Sequence, residues 1–211
     1  MAQTKAKMRD ADATRARILD AAKQEFAKFG LAGARVDTIA LQARANKRMI
    51  YHYFGSKEEL FTAVLEDAYL DIRGAEQDLA LEHLPAAEAL RKLVTFTWHY
   101  YLENPEFIRL VNSENLHQAR HIKLSTRLRD VSRQFIDLVG GILARGEKEG
   151  VFRAGIDPVQ LNVTIAAIGY YYLTNRFTGS FLFERDFMAP DALDARLAFN
   201  LDTIMRLVAR D

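Results

Sequence analysis

Segment 36–54 carries the side chains of this sequence with the clearest chemical potential; it reads VDTIALQARANKRMIYHYF. Cationic groups such as those of Lys47 and Arg48 can neutralise phosphates or bond the edge of guanine. Tyrosine hydroxyls and the imidazole of His52 can donate to phosphate oxygens, and Met49 offers an apolar contact to a thymine methyl group. The segment therefore has the functional groups that contact with double-stranded DNA requires.

Helical periodicity divides this segment into two short helices, Val36–Ala43 and Lys47–Phe54, separated by a tight turn. Asn46 is the expected N-cap of the second helix. Two helices so joined predict a helix-turn-helix, in which the second helix enters the major groove. An ordinary helical hairpin with a solvated basic face has the same spacing, so spacing alone leaves both interpretations open. The residues expected to face outward on the second helix are Lys47, Arg48, Met49, Tyr51, His52 and Tyr53.

Charge is unevenly distributed along the 211 residues, although the net charge is only +1. Residues 1–60 hold 12 Lys and Arg against 7 Asp and Glu, whereas residues 61–211 hold 17 against 21. This asymmetry suggests a local contact with a polyanion, and a chance excess of surface lysines is the alternative. The sequence has no cysteine, and its charge-free stretch 159–175 is too short to span a bilayer. We therefore expect a cytoplasmic protein without membrane contact.

Helical periodicity continues along nearly the whole chain and predicts an all-α fold of about nine helices. We expect a disordered tail over residues 1–12, a three-helix helix-turn-helix domain over residues 13–57, and a second helical domain over residues 58–211. Gly30 is the expected left-handed end of the first helix, and Ser56-Lys57-Glu58-Glu59 reads as a capping box that opens the fourth. The predicted helices are Ala13–Phe29, Val36–Ala43, Lys47–Phe54, Ser56–Leu81, Ala86–Glu103, Pro105–Asn115, Ile122–Gly150, Pro158–Phe177 and Pro190–Ala209.

The stretch IALQARANKRMIYHYFGSKEELF resembles the DNA-binding signature of the tetracycline-repressor (TetR) family of bacterial transcriptional regulators. The resemblance extends back through ATRARILDAAKQEFAKFG and covers roughly residues 13–65. By position it implies phosphate contacts for Tyr51, Tyr53 and Lys57. It also implies that Lys47, Arg48, Met49 and His52 lie nearest the base edges. The complete set of expected DNA-binding residues is Arg35, Thr38, Lys47, Arg48, Met49, Tyr51, His52, Tyr53 and Lys57.

Two positions depart from the family pattern. Arg44 stands where the family usually has glycine in the turn, and a non-glycine residue held in a left-handed conformation costs roughly 1 kcal/mol. We therefore expect a differently shaped turn. Arg35 stands where the family often has a threonine cap, whose loss costs about 1 kcal/mol, and a direct contact of Arg35 with phosphate could replace it.

The resemblance implies that the C-terminal helices hold a small-molecule pocket and form a homodimer through the last two helices. The helix 158–177 is apolar nearly all round, so it needs cover on two sides. A partner subunit would provide the second side, and burial within a monomer is the alternative. A symmetric dimer would set two recognition helices roughly 34 Å apart, as a palindromic operator requires. The neighbouring apolar stripe on the last helix consists of Leu193, Leu197, Leu201, Ile204 and Leu207.

Aromatic residues interspersed with amides and charges suggest an apolar pocket with a few polar groups, suited to a small aromatic or carboxylated effector. In such a pocket Arg109 could pair with a carboxylate. The segment PEFIRLVNSENLH is similar to the equivalent region of TetR relatives that sense pyrimidine or aromatic catabolites. Aromatic residues at helical spacing more often belong to the core than to a pocket. The candidate ligand-binding residues are Trp98, Tyr101, Arg109, Asn112, Asn115, His117, Tyr170, Tyr171, Asn175 and Phe177.

Metal binding and catalysis are the remaining possibilities. Glu114, His117 and His121 have the spacing of one helical face and could bind a metal together with His99. Surface or pocket polarity explains them better, and we expect no cofactor. The sequence has no Gly-rich phosphate loop, GxSxG or HExxH motif, so we do not expect an enzyme. We predict a repressor that a small-molecule effector releases from its operator. The alternatives are a metal-responsive regulator of the same fold and an architectural DNA-binding protein without an effector.

Overall fold

The computed structural model describes the backbone of residues 2–210 and the side chains of residues 11–123 and 125–210. These residues form ten α-helices and two 3₁₀ turns, Leu81–His83 and Ile122–Leu124, with no strand beyond one isolated bridge. The predicted all-α fold is confirmed. The helices are α1 (Ala2–Gly33), α2 (Val36–Gln42), α3 (Lys47–Phe54), α4 (Lys57–Gln77), α5 (Ala86–Glu103), α6 (Pro105–Leu116), α7 (Thr126–Glu149), α8 (Pro158–Thr174), α9 (Arg176–Leu182) and α10 (Pro190–Val208).

Helix α1 differs from the prediction at its start and agrees with it near its end. It begins at Ala2, so the backbone of residues 2–12 is helical where we expected a disordered tail. Gly30 leaves helical geometry with a φ of 66°, as predicted, and a further helical turn follows it to Gly33. Glycine adopts this left-handed conformation without the steric cost that a side chain would add.

The chain folds into two compact units, the first of which comprises residues 1–70 and 106–128. Helices α1, α2 and α3 pack against one another in this unit. Its core contains fully buried apolar side chains from each of them, including Ile18, Ile39 and Ile50. The rings of Phe26 and Phe61 meet edge to face at 5.1 Å between centroids. This burial fixes the two short helices of the predicted helix-turn-helix to the longer α1.

The second unit comprises residues 71–105 and 129–211, and α5, α8 and α10 pack against one another there. The predicted helix 158–177 is in fact two helices, because α8 ends at Thr174 and α9 follows from Arg176. The apolar stripe predicted on α10 faces the core only in part: Ile204 is fully buried and Leu201 packs against the core, whereas Leu207 is 39% exposed. The core residues are Leu81, Ala86, Ala89, Leu90, Leu93, Val94, Phe135, Val139, Ile142, Leu143, Phe152, Leu161, Ile165, Ile204 and Val208.

Candidate nucleic-acid interface

The turn between α2 and α3 has the left-handed geometry that glycine usually provides, although arginine occupies the position. Arg44 has a φ of 50°. Its N–H donates to the carbonyl of Leu41 at 3.2 Å, and the N–H of Ala45 donates to that of Ala40 at 3.0 Å. This pair of bonds is the Schellman arrangement that ends many helices. Our expectation of a differently shaped turn is therefore wrong, because the two hydrogen bonds hold Arg44 in the strained conformation.

Both ends of α3 are fixed by local hydrogen bonds. The side chain of Asn46 accepts from the N–H of Arg48 at 2.9 Å, which confirms the predicted N-cap. Beyond the helix, Gly55 has a φ of 81°, and the hydroxyl of Ser56 accepts from the N–H of Glu59 at 3.0 Å to cap α4. The second bond of the predicted capping box is absent, since the N–H of Ser56 donates to the carbonyl of Phe54 instead. These contacts set the direction in which α3 presents its side chains.

Helix α3 divides cleanly into a buried face and an exposed face. Ile50 and Phe54 are buried in the first unit. The predicted triplet of aromatic residues points outward: Tyr51 and His52 are exposed and Tyr53 is half-buried. The rings of His52 and Tyr53 lie 5.4 Å apart in an edge-to-face contact. The remaining outward residues are Lys47 and Arg48, which are exposed, and Met49, which is half-buried.

Lys47 differs from the other predicted DNA-binding residues because it already has an ionic partner. Its Nζ atom lies 2.9 Å from Oδ1 of Asp37, an exposed residue in the first turn of α2. The hydrogen bond and the charge of Lys47 lower the pKa of Asp37, and the same contact raises the pKa of Lys47. The pair therefore stays charged at neutral pH. Sequence reasoning missed Asp37, although an acid on the outer face of α2 was the available signal.

The start of α2 is fixed by a buried carboxylate. Arg35 is the N-cap residue and makes no side-chain cap, as its type suggests. Its N–H donates instead to Oε1 of Glu25, a buried residue of α1, at 3.0 Å. Its own side chain is exposed, and Thr38 one turn later is half-buried. This bond satisfies the N–H of the N-cap residue itself, which a threonine cap would not do, and it leaves the Arg35 guanidinium available for a phosphate.

Three further residues border this surface. The Nζ atom of Lys57 donates to the carbonyl of Ala32 at 3.4 Å, which is a weak contact that a phosphate could replace. Arg17 donates from Nε to the carbonyl of Ala43 at 3.2 Å and so braces the turn against α1. Leu41 on α2 is 80% exposed. Neither Arg17 nor Leu41 was among the predicted interface residues, because their positions depend on how α2 packs against α1.

The predicted ligand-binding residues of the second unit fall into two groups. Trp98 and Tyr101 on α5 are buried, and their rings contact those of Tyr172 and Tyr170 on α8 at 5.7 and 6.4 Å. Gly169 of α8 faces this contact, where a Cβ atom would lie 3.5 Å from the Tyr101 ring, an ordinary van der Waals distance. The other three residues turn elsewhere: Tyr171 and Phe177 are exposed, and the Asn175 amide donates to the carbonyl of Tyr171.

The predicted ligand-binding residues of the first unit lie on α6 or just beyond it. Arg109, Asn112 and Asn115 are exposed on this helix, and Asn115 donates to the carbonyl of Val111 at 2.9 Å. His117 follows the end of α6, is half-buried, and has Nδ1 2.7 Å from the carbonyl of Ser113. These contacts do not identify a ligand.

The residues considered for metal binding have a structural role in the described part of the chain. Glu114 is buried, and its carboxylate accepts from the backbone N–H groups of His121 and Ile122 at 2.7 and 3.2 Å. The Nδ1 atom of His121 lies 2.7 Å from Oε2 of the same carboxylate. His99 is in the other unit, with Nδ1 3.0 Å from the carbonyl of Thr95. Among the described residues no group of three or more His, Cys, Asp or Glu side chains is placed to hold a metal ion.

In the part of the chain that the structure describes, no helix is both long and apolar enough to cross a bilayer.

Comparison with known proteins agrees with this geometry. Residues 18–64 match the family model described as bacterial regulatory proteins of the tetR family, and residues 87–204 match that of the tetracyclin repressor-like C-terminal domain. The HTH-type transcriptional repressor NicS of Pseudomonas putida is 38% identical over 208 residues, which cover 99% of this chain and 98% of NicS. The HTH-type transcriptional regulator RutR of Escherichia coli is 32% identical over 155 residues, which cover 74% of this chain and 71% of RutR.

A solved structure extends the likeness to the fold. The crystal structure of a TetR family transcription regulator from Marinobacter aquaeolei superposes on this chain with a TM-score of 0.72. The superposition covers 97% of this chain and 100% of the other, and the two sequences are 21% identical. Two family models, a relative matched over nearly its full length, and an exposed basic and aromatic α3 lead to one conclusion. The chain belongs to the TetR family of DNA-binding transcriptional regulators.

Proposed function

We propose that this chain represses transcription as a homodimer that binds a palindromic operator and leaves it when a small-molecule effector binds. The observation that carries the proposal is the division of α3, whose apolar face is buried by Ile50 and Phe54 while Arg48, Tyr51 and His52 are exposed. A capped helix presenting cations and phenols in this way suits insertion into the major groove. The name of NicS supports repression rather than activation.

The phosphate contacts come from Tyr51, Tyr53 and Lys57, and from Arg35 and Thr38 at the start of α2. Base edges are read by Arg48, Met49 and His52. Lys47 lies beside them and, once it leaves Asp37, can contact a phosphate as well as a base edge. Phosphate contacts strengthen binding to every sequence, whereas contacts to base edges discriminate between sequences. The two groups of residues therefore predict different experimental signatures.

A second copy of the chain covers the exposed apolar faces of α8 and α10. Val159, Val163 and Tyr171 are all exposed on α8, and they are spread over roughly 120° of its circumference. On α10, Phe199 is 62% exposed. Leaving such side chains in water is costly for a monomer, and a two-fold axis would cover the same patch on both copies.

The effector packs on the aromatic rings that α5 and α8 bring together within the second unit. Trp98, Tyr101 and Tyr170 supply rings, while the tyrosine hydroxyls can orient a polar group. Binding must favour a conformation in which the two recognition helices no longer match adjacent major grooves. To move the dimer from almost fully bound to almost fully released, the ligand must prefer that conformation by about 5 kcal/mol.

Gel-shift measurements with variants test the DNA part of the proposal. Lys57→Ala and Tyr51→Phe should weaken binding to specific and random duplexes alike, because they remove phosphate contacts. Arg48→Ala should instead relax the preference for one or more operator bases. If Arg48→Ala lowers affinity equally for every base substitution in the operator, its base-reading role is wrong. If specific and random duplexes compete equally for the wild type, operator recognition itself is wrong.

Light scattering after size exclusion tests the dimer. Val163 is 54% exposed on α8, so Val163→Glu should convert the dimer to a monomer by placing a charge in the interface. Val151→Glu is the matched control, because Val151 is 42% exposed but follows α7 outside the proposed interface. A dimer that survives Val163→Glu would contradict an interface through α8. Thermal-shift screening of metabolites, followed by gel shifts with each hit, tests whether an effector releases DNA.

A further inference from the structure

A cavity of about 230 Å³ in the second unit is lined by residues that the proposed function does not use. It lies between the end of α4, the 3₁₀ turn at Leu81–His83, and α7. The apolar part of its lining comes from α7, and the polar part from α4, the 3₁₀ turn and α7. The lining residues are Arg73, Glu76, Gln77, Glu82, Val131, Gln134, Phe135 and Leu138.

Arg73 has more hydrogen-bond donors than acceptors to receive them. Its guanidinium carbon lies 4.0 Å from the centroid of the Phe135 ring, so the ring covers one of its faces. Its Nη1 atom donates to Oε2 of Glu76 at 2.5 Å. The Nε atom is buried and has no hydrogen-bond partner among the described residues. A buried donor without a partner costs free energy, so the cavity lacks an acceptor beside this guanidinium.

Glu76 is a poor permanent counter-ion for Arg73 because it is almost completely buried, with 2% of its surface exposed. Burial raises the pKa of Glu76 to about 7 even though the charge of Arg73 lowers it. A substantial fraction of Glu76 is therefore protonated at neutral pH, and in that form the carboxyl is a donor. The cavity then presents a cation and a neighbouring acid O–H, with no anion between them.

The other charged groups around the cavity do not alter this arrangement. Glu82 lines the rim and is exposed, so solvent screens its charge. Arg145 of α7 donates to the backbone carbonyls of Leu81 and Glu82 at 2.9 and 3.3 Å, which directs its guanidinium to the 3₁₀ turn. Half-buried Arg73 and buried Glu76 are thus the two ionisable groups that determine the charge inside the cavity.

We propose that this cavity binds a small organic carboxylate, whose oxygens accept from the Arg73 guanidinium and from the Glu76 carboxyl. Paired donors of this kind match the geometry of a carboxylate. The apolar body of the ligand packs on Val131 and Leu138, and the amides of Gln77 and Gln134 can bond further polar substituents. The ligand replaces Glu76 as the counter-ion of Arg73, and the ionised fraction of Glu76 takes up a proton from solvent. None of the ten residues predicted from the sequence to bind ligand lines this cavity.

Isothermal titration calorimetry with acetate, benzoate and hexanoate, each paired with its neutral amide, tests the site on the full chain. At least one carboxylate should bind, and its amide should bind at least tenfold more weakly. Binding should weaken from about pH 6 to about pH 8, because Glu76 must take up a proton. If no carboxylate binds at about 10 mM, or if the amides bind equally well, the proposal is wrong.

Two variants assign the binding to this cavity. Arg73→Gln should reduce carboxylate affinity at least tenfold, and thermal melting will show whether the variant is folded. Glu76→Gln mimics the protonated carboxyl in charge, so it should retain binding and lose the pH dependence. Unchanged carboxylate affinity in folded Arg73→Gln would overturn the proposal. An unchanged pH dependence of binding in Glu76→Gln would also overturn it, and this second variant serves as the test if Arg73→Gln does not fold.

The assignment of this carboxylate as the effector rests on the proposed function, and a separate experiment tests it. A gel shift with the bound carboxylate should show release of operator DNA. Release that disappears in folded Arg73→Gln together with binding, and that persists in Glu76→Gln, supports the effector role. Calorimetric binding without release leaves the carboxylate site established and overturns its assignment as effector site. Failure of the wild type to recognise an operator overturns the proposed function while leaving the calorimetric result intact.

Discussion

Asp37 holds Lys47 in an ion pair on the exposed side of the helix-turn-helix, with 2.9 Å between Oδ1 and Nζ. We expect Asp37→Asn to release Lys47 toward a phosphate and to remove a negative charge that repels the duplex. The pKa of Asp37 is lowered by Lys47 and that of Lys47 is raised by Asp37, so both stay charged at neutral pH and the wild-type pair persists during the assay. The variant should therefore bind every duplex more tightly at low salt.

The salt dependence gives this prediction a magnitude. One additional phosphate contact steepens the fall of log affinity with log salt concentration by about 0.9. Between about 50 and 200 mM salt, that change in slope corresponds to roughly a 3.5-fold difference. The affinity gain of Asp37→Asn should shrink by this factor over the range. Fluorescence anisotropy with a random-sequence duplex at several salt concentrations measures the slope.

Asp130→Asn is the matched control. Asp130 on α7 forms a similarly exposed pair with Arg133, whose Nη1 lies 3.9 Å from Oδ1, outside the helix-turn-helix. Its replacement removes the same charge and should leave the salt slope unchanged. Equal slopes for Asp37→Asn and the wild type, or weaker binding by the variant, would refute the reasoning, because Lys47 would then not reach a phosphate.

Three further substitutions test how the fold supports the two sites. Arg44→Gly should raise the melting temperature by up to about 3 °C, because a φ of 50° costs a non-glycine residue about 1 kcal/mol. The greater conformational freedom of glycine in the unfolded chain offsets part of this gain. An unchanged or lower melting temperature would mean that the turn is not strained. Glu25→Ala should cost about 1–3 kcal/mol in urea denaturation, since the N–H of Arg35 loses its buried acceptor, and Glu25→Gln should cost less because an amide oxygen can accept the bond. The pKa of Glu76, raised by burial from 4.5 to about 7, means that the folded protein holds a proton which the unfolded chain releases. Wild-type stability should therefore fall by on the order of 3 kcal/mol as the pH rises from about 4.5 to about 7, and urea titrations should show no such component in Glu76→Gln.

The helix-turn-helix could be predicted from the sequence because its signals are local. Asn46 caps the helix that follows it, and the apolar spacing of Ile50 and Phe54 identifies the buried face, so the outward residues follow by elimination. The bounds of α3 agree with the prediction, and those of α2 differ only at its last residue. Nearest-neighbour hydrogen bonds and periodicity suffice for such short elements.

Features that depend on packing between distant segments could not be predicted in this way. Asp37 approaches Lys47, and Arg73 approaches Phe135, only because particular helix faces meet, which periodicity does not encode. The break between α8 and α9 was missed because Asn175 ends α8 without a proline or glycine to mark it. The two arginines considered as carboxylate partners were identified in different ways. Arg109 was chosen from its neighbours in the sequence, whereas Arg73 is identified by a buried Nε–H without an acceptor, which only the three-dimensional structure reveals.

Selection of bound duplexes from a random pool, followed by sequencing, tests most directly whether α3 of two symmetric copies reads DNA. We predict that the selected sequences converge on an inverted repeat whose half-sites are one helical turn apart, about 10–10.5 base pairs. Failure of the pool to converge, or convergence on a single asymmetric half-site, would contradict the account.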